Sequence, residues 1–168
     1  MAIDNDIKLQ AVLLNDLNSI IDEVTKKLLI NLQESIQKHV YDAGDPIEYE
    51  RQKMDGGIQG SFEASSAATM GNYIEAWIEH DPMSMKLDLD KNIHGGYGQV
   101  PEDVRSILAN IIIQGMSGGG YDTSVYSSSK TGFWTEPRDF WEPFIKELNK
   151  NGDKFIKEAF ISRGIVLK

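Results

Sequence analysis

The chain has 168 residues, 26 acidic against 17 basic side chains for a net charge of −9, and no cysteine. This length is most simply one domain, able to bury about two-thirds of its unfolded surface without a staple, and the missing Cys excludes thiol catalysis, Cys-ligated zinc and disulfides. The acidity and the scattered Lys and Arg argue against specific nucleic-acid binding; no run nears the ~18 apolar residues of a membrane span, and MAIDNDIKLQ lacks a basic signal flank, so a soluble chain made in the cytosol is expected.

The first element is a long helix over about residues 6–40. Leu9, Val12, Leu13, Leu17, Ile20, Ile21, Val24, Leu28, Leu32, Ile36 and Val40 recur at steps of three and four. Asp4 and Asp6 are the expected caps, and Gly44 and Pro46 end it. Such a helix is roughly 50 Å long at 1.5 Å per residue. That exceeds a small domain, so one end is expected to project or to lie on a neighbouring subunit.

A sheet region follows over about 56–80. Ile58, Gly60, Phe62 and Ala64 alternate with polar residues after the Gly56–Gly57 turn, and Tyr73, Glu75, Trp77 and Glu79 alternate with Ile74, Ala76 and Ile78. The two runs predict antiparallel neighbours. Residues 81–99 read as loop-rich. A helix is expected over about 101–114, with Pro101 first and Glu102 and Asp103 in its first turn. Residues 116–132, rich in Gly and Ser, read as a flexible loop. A C-terminal helical segment over about 137–163 carries Phe140, Trp141, Phe144, Ile145 and Leu148 on one side, with a break or kink expected at Asn151–Gly152 and an end at Gly164.

No catalytic constellation emerges. Asp88, Asp90 and Asn92 imitate a calcium loop, but Ile93 and Gln99 occupy the positions that need Gly and Glu. His39, His80 and His94 lie in different elements without ligand spacing. Gly118, Gly119 and Gly120 lack the following Lys-Ser/Thr of a phosphate loop. No cofactor or metal is expected. The segment GFWTEPRDFWEPF divides by position: Phe140, Trp141 and Phe144 read as the buried face of the last helix. Phe133 and Trp134 precede it and, with Arg138, read as anchors for another subunit, being of the types that concentrate interface energy.

Two stretches carry a resemblance. The first is Tyr41, Pro46, Tyr49, Arg51 and Gly56–Gly57; the second is Pro137, Arg138, Phe140 and the helix running to Arg163–Gly164. In order along the chain they resemble the head–tail connector (neck, or tail-completion) proteins of long-tailed phages and prophages of Gram-positive bacteria. Asp139 and Ser162 depart from that pattern, which often has Pro and a second basic residue there. The resemblance implies an α+β fold, with a small antiparallel sheet crossed by the long helix and flanked by two further helices. It implies a non-enzymatic virion protein, assembled as a homo-oligomeric ring between a portal-side adaptor or head-closure protein and a tail terminator or tail tube protein. Tyr41, Tyr49, Arg51, Phe133, Trp134 and Arg138 are then the expected subunit-interface residues. Another tail or neck ring component such as a tail terminator, a small enzyme with a site in its loops, and a monomeric host-interaction domain remain the alternatives.

Overall fold

The computed structural model describes residues 2–43, with side chains from residue 10, together with 53–85, 109, 112–113 and 138–165. The fold is α+β: a long N-terminal helix, two pairs of short antiparallel strands and a C-terminal helix. Helix α1 spans Ala2–Ile36 and continues into a wider π turn at Gln37–Tyr41. No Gly or Pro interrupts residues 2–43, so nothing local opposes helix along that length. Asp4 and Asp6 lie inside the helix rather than capping it.

The chain divides into two compact units, Met1–Asn31 with Glu63–Glu79 and Ile145–Lys168, and Leu32–Phe62 with His80–Phe144. In the first unit, Ile20 and Val24 of α1 and Ala159 of the C-terminal helix are buried, with Leu28, Phe160 and Ile165 packed against them. Val12 and Leu13, expected on the apolar stripe, are instead 56% and 49% exposed. No other described element covers that end of α1 with a core, so its apolar spacing is not matched by burial. Lys27 joins the two helices, donating to Glu158 at 2.6 Å and sitting 4.9 Å above the Phe155 ring.

Between the helices in sequence lies a bent hairpin. Strands β1 (Phe62–Ala64) and β4 (Ile78–His80) pair, as do β2 (Ala68–Met70) and β3 (Tyr73–Glu75). Ala68 faces Glu75 and Met70 faces Tyr73, whereas the Ser65 amide donates to the Trp77 carbonyl. Two residues, Ser66 and Ala67, therefore oppose Ala76 alone. This is a bulge. It divides what the alternation predicted as one strand over 73–79, and it frees the Ala67 amide to donate to Asp22 of α1. Asn18 reaches Thr69 two residues further along the hairpin.

Ile58–Ser61, expected as strand, forms a single 3-10 turn. Its Ser61 hydroxyl donates back to the Ile58 carbonyl, a local bond that competes with a sheet ladder. Helix α2 spans Trp141–Ser162 without interruption at Asn151 or Gly152; Asn151 instead donates to Glu147 one turn back. Its start lies beyond the expected Pro137–Arg138, because Asp139 accepts from the amides of Trp141 and Glu142 at 2.8 and 3.0 Å and so caps it. Its end is a Schellman motif: the Ile165 amide donates to Phe160 and that of Gly164 to Ile161, with Gly164 at φ +73°. Ile165 is thereby folded onto the first unit's core. Of the helix expected over 101–114, Ala109, Ile112 and Ile113 are described and helical. Of the loop expected over 81–99, residues 81–85 are described and hold a 3-10 turn at Pro82–Ser84, while 86–99 and the loop expected over 116–132 lie outside the described residues.

Candidate functional site

Two of the six expected interface residues, Tyr41 and Arg138, are described, and both belong to one junction in the second unit. Tyr49, Arg51, Phe133 and Trp134 lie outside the described residues. The junction begins where α1 widens. The Asp42 amide donates to the Gln37 carbonyl at 2.9 Å across the π turn, and the Gln37 side chain donates to the Asp42 carboxylate at 2.6 Å. A helix end leaves carbonyls without intrahelical partners. Arg138 supplies one from 98 residues away, donating from Nη1 to the Val40 carbonyl at 3.0 Å.

The segment carrying Arg138 is fastened at three points. Its own amide donates to the Ile112 carbonyl at 2.8 Å, and the Ser35 hydroxyl donates to the Phe140 carbonyl at 2.6 Å. These bonds set Phe140 with no exposed surface, against the edge of Phe62 at 6.2 Å between centroids. Trp141, expected beside Phe140 in the core, is 44% exposed and packs on Phe144 at 5.5 Å. The Asp139 cap sets where the helix begins. It makes Trp141 the first residue of α2, at the exposed end of the helix, while Phe144 one turn on is buried.

Tyr41 is 8% exposed, and its hydroxyl stands over Gly57. A Cβ on Gly57 would lie 2.5 Å from the Tyr41 Oη, 2.5 Å from the Lys53 carbonyl oxygen and 2.6 Å from the Lys53 nitrogen. Tyr41 and the second glycine of Gly56–Gly57, far apart in sequence, thus meet in space as a close contact that excludes a side chain. Gln59 closes the same end of the unit, donating to the Gln33 carbonyl at 2.9 Å.

His80 is the titratable residue here that sequence reasoning set aside. Its ring lies 4.8 Å from Phe62, and its Nε2 is buried with no hydrogen-bond partner among the described residues. Burial lowers its pKa below the ordinary value, with the Asp81 carboxylate opposing in part. His80 stands directly across from Phe62 on the paired strands, a juxtaposition that spacing alone could not have found. Among the described residues, no group of three His, Asp or Glu converges as a metal would need, and no helix is long and apolar enough to cross a membrane.

The junction's chemistry is that of a structural lock: the Val40 carbonyl satisfied by Arg138, an excluded Cβ at Gly57, and the His80 and Phe140 rings packed around Phe62. Among proteins compared with this one, no curated protein and no solved structure matches. A family model, YomN, matches residues 5–162. The chain belongs to the YomN family, a phage- and prophage-associated family.

Proposed function

We propose that this chain is a non-enzymatic structural protein of the virion, forming a ring in the neck between the portal-side adaptor and the tail tube and so joining head to tail. One observation carries the reading. The two stretches that resemble the connector signature, around Tyr41 to Gly57 and at Arg138, are brought together at the end of α1 although 98 residues separate Arg138 from its acceptor. What these stretches specify there is the shape of a scaffold: Arg138 closes the end of α1 and Gly57 seats the turn against Tyr41. Membership in a phage-associated family over residues 5–162 supports the same direction.

Deleting the gene from the phage genome tests this. The expected lysate contains DNA-filled heads and finished tails that do not join, and the purified protein added back restores joined particles. Infectious, joined virions from the deletion would refute the neck role.

A further inference from the structure

The first unit carries two exposed faces of opposite character. One is the outer face of the β1–β4 pair. The Ser65 amide bonds the Trp77 carbonyl and the Asp81 amide bonds the Ser61 carbonyl, so Glu63 and Glu79, midway between those pairs, stand directly opposite each other. Both are exposed and neither has an ion-pair partner among the described residues. Like charges directly opposed across a ladder are destabilising, and no cation among the described residues pairs with either. Trp77 lies beside them on the same face, 48% exposed.

The other face belongs to α2. Lys150, Lys154 and Lys157 are exposed, and their spacings of four and three residues place them on one side of the helix, turned away from the buried Ala159. Lys154 makes a loose contact to Glu158 at 3.8 Å; Lys150 and Lys157 have no ion-pair partner among the described residues. In a chain of net charge −9, a row of lysines complements the protein's own surface.

We infer that the Glu63–Glu79–Trp77 face of one copy docks on the Lys150–Lys154–Lys157 face of a second copy, a contact between two different surfaces of the same chain. The lysines neutralise the opposed glutamates, and an ammonium over the Trp77 ring adds a cation–π contact. Because the two surfaces differ, the contact is heterologous and repeats, closing into a ring when its rotation allows. This deepens the self-assembly part of the proposed function and rests on it.

The test is sedimentation of the full chain and its charge-swapped variants, with circular dichroism to follow folding. Lys150→Glu with Lys157→Glu, and separately Glu63→Lys with Glu79→Lys, are each expected to weaken self-association about a hundredfold. Combining all four substitutions restores it, because the charges are then exchanged rather than matched. The wild-type association falls as salt is raised. A wild-type chain that stays monomeric at every concentration overturns the inference. So do swaps that leave association intact, an outcome that would still leave the ring reading standing. Joined virions from the gene deletion would instead refute the neck role and leave this contact between copies in place.

Discussion

Replacing Gly57 with Ala isolates the lock between the end of α1 and the turn that precedes β1. The backbone there has φ −89° and ψ 175°, which any residue adopts, so the substitution carries no conformational penalty and its effect is steric. The added methyl would fall at 2.5, 2.5 and 2.6 Å from Tyr41 Oη, Lys53 O and Lys53 N. All three are far inside van der Waals contact, and two belong to backbone that cannot rotate aside. Overpacking typically costs about 1–3 kcal/mol, and with two immovable neighbours the upper end is expected. That lowers the melting temperature by roughly 6–12 °C for a chain of this size. Thermal and urea melts of Gly57→Ala measure it, and Tyr41→Phe in the same chain removes one of the three clashes. The double variant is expected to recover only part of the loss, because the Lys53 backbone remains in the way. A Gly57→Ala protein as stable as the parent would refute the close contact, and full recovery by Tyr41→Phe would assign it to the hydroxyl alone.

Phe140→Ala, at a fully buried ring, is expected to cost about 3–5 kcal/mol, and Trp141→Ala distinctly less because Trp141 is 44% exposed; equal losses in urea titrations would contradict that ordering. Asp139→Ala removes two cap hydrogen bonds and is expected to cost about 0.5–2 kcal/mol with fraying at the start of α2, read by amide exchange. The depressed pKa of His80 means that the unfolded chain binds its proton first. Its contribution is therefore fully present above the ordinary value of 6.5 and declines as pH falls below it toward the folded pKa. Melts between pH 7.5 and 5.5 should show a smaller acid loss in His80→Phe than in the parent, and identical slopes would refute a buried neutral imidazole.

Those elements set by local chemistry were legible in the residues. An uninterrupted run free of Gly and Pro with apolar steps of three and four gave α1, and the alternation around Phe62 and Ile78 gave antiparallel strands. Gly164 ends α2 as its position promised. What escaped was whatever depends on phase or on contacts far apart in sequence. One bulge residue splits an alternating run that reads as a single strand, and Trp141, on the expected apolar face, lies at the exposed start of α2. The meeting of Tyr41 with Gly57, and of Arg138 with Val40, joins residues whose partners only folding brings within reach. The row of Lys150, Lys154 and Lys157 was implicit in the helix expected over 137–163, but its exposure, opposite the buried Ala159, follows only from how α2 packs.

The central claim is that this chain is a multi-copy structural part of the particle at the junction of head and tail. Gold-labelled antibody against the chain, imaged on purified virions by electron microscopy alongside quantification of its copies per particle, tests it most directly. The expected result is label confined to the neck and several copies in every virion. Virions that carry none of the chain, or label on the capsid shell or the distal tail, would contradict it.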